Sequence, residues 1–354
     1  MMFNYRRHRR HAWLGVFAAI IAVVLAACSS SSSGSGGSGS AASGPKRTII
    51  GSCPVPQNTA QCAVLEDTAK YATALSKGQL QFQLHYDGTM GTPAQVQTLI
   101  QQGQVQLAVT STSDLTALYG PLDLFNLPFL FPNYAAVHKI TSGPAGAKLI
   151  AGLESASHIK LLAWEDEGFS DLLSKSAFVT SISQLKGQKI RVIEDPLLTN
   201  TYSSLGAIPV PTTAAEVYTG YETGEFSAAP FSPSIILANK WQEVAKYLTV
   251  VSAGMGYTEN TLVTGSSFLS SLPKNLATDL QKAADEAEVK ANAANDASET
   301  QAVSQLKADG VQFLTMSSGS VAAWKKVAVA SVYPIFTKKY GSSILDAAQA
   351  SLSS

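Results

Sequence analysis

An arginine in the middle of a short strand constrains this chain more than any other feature. From Gln184 to Pro211 the sequence reads QLKGQKIRVIEDPLLTNTYSSLGAIPVP. Gln188-Lys-Ile-Arg-Val follows Gly187 and is rich in β-branched residues, so it predicts a buried strand with Arg191 at its centre. A guanidinium stays protonated, and one left unpaired in a protein interior costs several kcal/mol, roughly 3 to 5 when a buried partner is removed. Arg191 therefore needs an anion. Glu194, Asp195 and Glu216 are near in sequence, and a bound anion would serve equally; spacing alone leaves both open. Pro196 stops the strand, Leu197 to Leu205 suits a helix, and Gly206-Ala-Ile-Pro-Val-Pro returns as a second short strand. The stretch is a compact β-α-β unit with a cation at its edge.

The chain has 354 residues, enough for two domains of ordinary size, and its 45% hydrophobic and 14% charged content is globular. Its first 27 residues read as a signal peptide. Arg6, Arg7, Arg9 and Arg10 with two histidines form a cationic start, Ala12 to Ala26 is apolar, and Leu25-Ala26-Ala27-Cys28 has the small residues of a lipoprotein cleavage box. An apolar run of this length falls short of the roughly 20 residues that span a bilayer. With Cys28 as the lipidated first residue, Ser29 to Gly44 becomes a Ser/Gly leash with a reach of about 20 Å. Cleavage removes four of the 25 basic residues and none of the 25 acidic ones, leaving 21 against 25. That mild acidic excess argues against a nucleic-acid partner.

Cys53 and Cys62 remain after cleavage. In an exported protein such a pair is most simply a disulfide closing a short loop. A metal site would need companions, and none stand nearby; His85, His138 and His158 are scattered singly and read as surface or capped core residues. No cofactor motif is present.

Further along, Thr48-Ile-Ile-Gly predicts a first strand, about Ala60 to Ser76 a helix with Val64, Leu65, Ala69, Ala72 and Leu75 on its apolar stripe, and Gln79 to Tyr86 a second strand. A β-α-β start of this kind predicts a parallel sheet. Thr92 is placed to cap a helix opening at Pro93 and, at a helix amino terminus, is also a candidate for binding an anion. Gln104 to Val109 is a third strand. Leu122 to Phe131 is apolar with a proline bend and reads as core. Helix is expected from Ala135 to Glu154 with a break at Gly143-Pro144, then a strand from Ile159 into Glu165-Asp-Glu-Gly-Phe-Ser170. Ser271-Leu-Pro-Lys opens a helix reaching about Asp309, with Ala283, Ala284, Ala287, Ala291 and Ala294 on one stripe. Val311 to Leu314 and a helix around Val321 to Lys338 close the chain.

These motifs resemble one family. Leu-Lys-Gly-X-Lys-Ile-Arg-Val (Leu185 to Val192), Leu-Gly-Ala-X-Pro-X-Pro (Leu205 to Pro211) and Glu-Val-Tyr-Thr (Glu216 to Thr219) look like the solute-binding subunit of tripartite ATP-independent periplasmic (TRAP) transporters. Leu127-Pro-Phe-Leu-Phe and Gly143-Pro144 fall in the same order, and the likeness covers about Thr48 to Tyr340. It implies an α/β periplasmic-binding-protein fold of two lobes with hinge strands and a long helix spanning both. Residues 46–166 with 257–296 would form the first lobe, and 167–256 with 297–354 the second. The lobes would move about segments near Glu167 and Gly256. The family's arginine, which clamps the substrate carboxylate, falls on Arg191.

Two departures reshape the expected pocket. The family often reads Gly-Phe-Arg where this chain has Gly168-Phe169-Ser170, which weakens the case for a doubly clamped diacid. It usually reads Val-Asp-Gly-Gln-Glu-Asn-Pro where this chain has Phe226 to Pro233, so Ala229, Pro230 and Phe231 replace polar groups. Likewise Ala214 stands where many members carry an aromatic residue. Trp164, Phe169 and Phe231 suit a ligand's apolar body as well as they suit a core; Phe231, between two prolines in an expected loop, is the least easily explained as core. Tyr218 faces either core or cleft. The resemblance implies a small organic acid as ligand and a membrane permease of two integral subunits driven by an ion gradient as partner; the cleavage box at Cys28 adds an extracytoplasmic, membrane-anchored location, although a lipid tether is less common in that family than a soluble periplasmic form. Two other classes stay open: a receptor reporting to a membrane kinase, and an exported enzyme. The second lacks Gly-X-Ser-X-Gly, His-Glu-X-X-His and Walker patterns.

Overall fold

The computed structural model describes residues 45–57, 59–252 and 254–353. The signal segment, Cys28 and the Ser/Gly leash lie outside the described residues. The strands are β1 (Arg47–Ser52), β2 (Leu80–His85), β3 (Leu107–Ser111), β4 (Ile159–Phe169), β5 (Asp171–Ser174), β6 (Lys189–Val192), β7 (Ile208–Pro211), β8 (Ala228–Phe231), β9 (Tyr247–Val250), β10 (Tyr257–Gly265) and β11 (Gln312–Thr315). They form two sheets, in the orders β2-β1-β3-β10-β4 and β11-β9-β5-β8-β6-β7.

The first sheet grows from the β-α-β start. β1 pairs in parallel with β2 and with β3, as the order of strand, helix and strand requires. The antiparallel β10 then inserts between β3 and β4. Helix Ala63–Leu75 buries Val64, Leu65, Ala69 and Ala72, but Leu75 is 43% exposed because the helix ends there and turns away. Thr92 caps helix Pro93–Gln101 in a reciprocal box with Gln95, and Pro93 occupies its first position. The third strand begins at Leu107, later than its sequence suggested, because Gln106 is used otherwise: its Oε1 accepts the Ile50 N–H and its Nε2 donates to the Gly103 carbonyl.

Two strands cross between the sheets. β4 ends at Phe169 in the first sheet and β5 begins at Asp171 in the second, so Ser170 alone separates them. β9 leaves the second sheet and β10 enters the first at Tyr257, paired with Phe169. Ser170 N–H donates to the Gly256 carbonyl at 2.9 Å, which ties the two crossings together. Helix Lys274–Ala308 has 35 residues. It places Ala283, Ala284 and Ala287 in the core beside Leu162 and Leu262, and Leu306 in the core beside Leu173 and Leu248. It therefore spans both sheets; Ala294 is exposed where the expected stripe turns outward.

A second bridge is new to the structure. In helix Ser318–Tyr340, Trp324 and Ala328 pack with Ile190 and Val192, whereas Val332 and Phe336 join the core of the first sheet. The following helix Ser343–Ser353 also packs there through Leu345 and Ala348. Packing thus divides residues 297–354 between the two halves instead of giving them all to the second. Among the described residues no helix is long and apolar enough to cross a membrane, and no group of three or more His, Cys, Asp or Glu is arranged to hold a metal ion.

Cys53 and Cys62 form a disulfide with Cα atoms 5.9 Å apart, and both are fully buried in the first-sheet core. The bridge fixes the link between β1 and the first helix. By its loop length it should stabilise the fold by about 2 to 3 kcal/mol. Chemical denaturation with and without reductant, or of Cys53→Ser with Cys62→Ser, should show a loss of that size.

Candidate functional site

Arg191 lies in β6 at 4% exposure, and its surroundings follow from strand pairing. β6 and β7 run parallel with Arg191 opposite Val210. The ladder continues one step beyond β7, where the Thr212 N–H donates to the Val192 carbonyl at 3.0 Å. That step brings Thr212 beside the guanidinium. Arg191 Nε donates to Thr212 Oγ1 at 3.3 Å, and Nη2 donates to the Thr212 carbonyl at 2.8 Å.

A guanidinium carries five N–H groups in a planar fork. Thr212 takes the edge formed by Nε and Nη2. Among the described residues, no carboxylate lies within 4.0 Å of Arg191, and the edge formed by Nη1 and the second Nη2 hydrogen meets no protein acceptor. The three nearby carboxylates are otherwise engaged. Glu216 accepts from Thr213 in a capping box, Asp195 caps helix Pro196–Ser204, and Glu194 is exposed. Burial draws the guanidinium down to about 10, with Tyr221 and Glu216 acting in the opposite sense, so it remains a cation at neutral pH. The open edge has the geometry that receives a planar anion through two parallel hydrogen bonds.

Phe231 supplies the wall. Its ring centroid lies 5.3 Å from Arg191 Cζ and 4.1 Å from the Trp241 ring, and the residue is 7% exposed. It ends a strand, not a loop. Pro230 sits in the interior strand β8 without costing a ladder bond to β6, because the parallel pairing of β6 with β8 is registered at Ile190 with Ala228, before the proline. On the other side, β5 pairs Asp171 with Phe231.

The remaining candidates are dispersed. Phe169, half-buried, lies 5.0 Å from the Tyr134 ring and 4.9 Å from the Tyr257 ring at the strand crossing. Ser170 is beside it. Trp164 is 4% exposed and packs on Phe125 at 5.4 Å within the first-sheet core. Thr92 is exposed and its hydroxyl is used by its own helix. Tyr218 donates to Glu243 Oε2 at 3.0 Å. Thus Arg191 and Phe231 are brought together, and Phe169 with Ser170 stand at the crossing. Sequence reasoning missed Thr212 and Trp241. Thr212 had a signal, since it follows the strand that pairs with Arg191; Trp241 had none, because it lies in a short 3-10 helix and meets Phe231 only by tertiary packing.

The crossing is rich in buried carboxyls. The Tyr257 hydroxyl lies 2.5 Å from Asp166 Oδ1 and 2.6 Å from Glu259 Oε2, and His138 Nε2 lies 2.6 Å from Asp166 Oδ2. One phenol proton serves one of the two contacts, so a second proton sits on a carboxyl. Burial, then the Asp166 charge, drives Glu259 well above the usual carboxylate range. Burial likewise raises Glu165 strongly and pushes Glu167 and Asp171 up to about 7.

Residues 52–339 match the family described as bacterial extracellular solute-binding protein, family 7 (DctP). The chain belongs to this family. Binding, not catalysis, is the activity of the family. Among its relatives, the C4-dicarboxylate-binding periplasmic protein DctP of Rhodobacter capsulatus is 30% identical over 257 residues, covering 71% of this chain and 74% of that one. The 2,3-diketo-L-gulonate-binding periplasmic protein YiaO of Escherichia coli is 31% identical over 49% of this chain and 53% of its own length. Two TRAP periplasmic solute-binding protein structures share the two-lobe fold. That from Ochrobactrum anthropi has a TM-score of 0.81 at 25% identity, covering 87% of this chain and 95% of its own. That from Sulfurospirillum deleyianum, with bound succinate, has a TM-score of 0.79 at 25% identity over 86% and 99%.

The carboxyls at the crossing set a pH trend for the family fold in this chain. The folded pKa values of Glu165, Glu167, Asp171 and Glu259 lie above the unfolded ones near 4. Their stabilising contribution is therefore complete below that value and is lost as pH rises through about 7. Thermal midpoints measured from pH 5.5 to 8.5 should fall; a midpoint that rises across this range would contradict the assignment.

Proposed function

We propose that this chain is the lipid-anchored, extracytoplasmic solute-binding subunit of a TRAP-type transporter, and that it captures a small organic acid by closing its lobes around the open edge of Arg191. The observation that carries this reading is a buried guanidinium whose Nε and Nη2 edge is filled by Thr212 and whose other edge has no protein carboxylate among the described residues. A ligand carboxylate completes it with two charge-assisted hydrogen bonds. Thr212 is a positioning residue, holding the fork so that the open edge points one way.

The rest of the pocket favours an acid with an apolar body. Ser170 stands where a second arginine would grip another carboxylate, and Phe231 lines the cation with a ring instead of an amide. The names of relatives support the acid class: one is a C4-dicarboxylate-binding protein, and one solved structure holds succinate. The hinge is assigned to the strand crossings at Ser170 and Gly256. Anchoring rests on Cys28 and its cleavage box, with the Ser/Gly leash letting the lobes reach a permease of two integral subunits.

The test is thermal melting of wild type, Arg191→Ala, Arg191→Lys and Thr212→Val against aliphatic and aromatic monoacids, diacids and sugar acids. A ligand at 100 times its dissociation constant adds about 2.7 kcal/mol, a readable shift. Arg191→Ala should cost about 2 to 5 kcal/mol of binding, and lysine should recover little of it, lacking the planar fork. Thr212→Val should weaken binding less. The reading fails if Arg191→Ala binds the stabilising acid within twofold of wild type, or if no acid stabilises a well-folded wild type.

A further inference from the structure

Away from Arg191, a second group of carboxyls sits where the two halves of the fold meet. Asp123 lies in the short helix Gly120–Asn126, whose Leu122, Leu124 and Phe125 belong to the first-sheet core. Asp195 follows β6 and caps helix Pro196–Ser204, whose Tyr202 packs with Ile190 and Val192 of the second sheet. Both are buried, at 1% and 5% exposure. A single amide nitrogen joins them: Asn126 Nδ2 donates to Asp123 Oδ1 at 3.3 Å and to Asp195 Oδ2 at 3.2 Å. The two carboxyls are therefore no more than two hydrogen-bond lengths apart.

The groups facing this pair are few, and none neutralises both charges. The Asn126 Oδ1 is occupied by Ser113 Oγ, and Asp195 Oδ1 by the Leu198 N–H. From helix Ser318–Tyr340, the Tyr340 hydroxyl donates to Asp123 Oδ2 at 2.5 Å, while Lys339 lies on the Tyr340 ring, 4.8 Å from its centroid. Neighbouring carboxylates bond elsewhere: Asp114 with Ser111, Asp346 with Ser342, and Glu259 with Tyr257. Like charges held this close in a buried site do not both ionise readily, so the arrangement is stable with one proton on the pair.

We propose that Asp123 and Asp195 form a proton-held latch between the two halves of the fold, closed when the pair carries one proton and loosened when both carboxylates are charged. With the proton, the carboxyls and Asn126 draw Gly120–Asn126 against the amino end of helix Pro196–Ser204. Without it, repulsion opposes that docking. Burial and the neighbouring Asp123 raise Asp195 to about 7, so the change falls at neutral pH. Folded pKa above unfolded pKa means that the stabilisation is present at low pH and disappears as pH rises through this value. The latch does not depend on which ligand Arg191 holds, and its failure would leave the binding proposal untouched.

Amide hydrogen exchange of the purified protein at pH 6 and pH 8, corrected for intrinsic exchange, tests it. For wild type, protection in 120–126 and 196–204 should fall by about tenfold from pH 6 to pH 8, as expected for a group that titrates near 7. Segment 63–75 serves as the reference for any global change. Asp195→Asn keeps Oδ1 as the acceptor for the cap and removes one of the two charges, giving up the Asn126 contact to Oδ2, so the pair gains no second charge between pH 6 and pH 8. Relative to 63–75, its protection in both segments should differ by less than twofold between the two pH values, and Asp123→Asn should behave alike. A wild type with no local loss beyond that of 63–75 overturns the latch, and so does either folded variant that keeps the tenfold loss.

Discussion

The site turns on a cation that the fold buries and only half satisfies. Taking a guanidinium out of water is costly, and the usual remedy is a carboxylate of the same chain. Here the parallel pairing of β6 with β7 supplies Thr212 instead, which gives two acceptors but no charge. Phe231 adds a ring from β8. Each nearby acidic residue is drawn into another task, capping a helix or facing solvent. On the proposed reading, a ligand anion would gain binding energy from a cost that folding has already met, which is preorganisation in its simplest form.

The rest of the architecture joins the half that carries Arg191 to the other half. Two strand crossings at Ser170 and Gly256 join the sheets, and helices Lys274–Ala308 and Ser318–Tyr340 each contribute to a core on both sides. Short crossings permit rotation, whereas long helices packed at both ends limit its direction. The buried carboxyls at Tyr257 lie beside the strand crossings, and those at Asn126 join elements of the two halves.

Much of this was legible from local pattern. The β-α-β unit around Arg191, the helix break at Gly143-Pro144, the Thr92 cap and the long helix each follow from residues close in sequence, and each is present. The difficulties are non-local. The flanking prolines of Phe231 predict a loop; the sheet tolerates Pro230 because the β6 ladder has already ended there. Helix Ser318–Tyr340 gave no sign that it would serve two cores, since that depends on where its neighbours lie. Thr212 shows the intermediate case: its place is local, but its role needs the register of two strands. Trp164 was ambiguous by sequence, and its contacts are those of a core residue.

The most direct measurement is a crystal structure of the protein with the acid that stabilises it most. The account predicts one carboxylate bound end-on, with oxygens at 2.7 to 3.2 Å from both Nη1 and Nη2 of Arg191, while Thr212 keeps Nε and the other Nη2 hydrogen. A ligand seated elsewhere, or an Arg191 whose open edge is filled by a carboxylate of the protein itself, would contradict it.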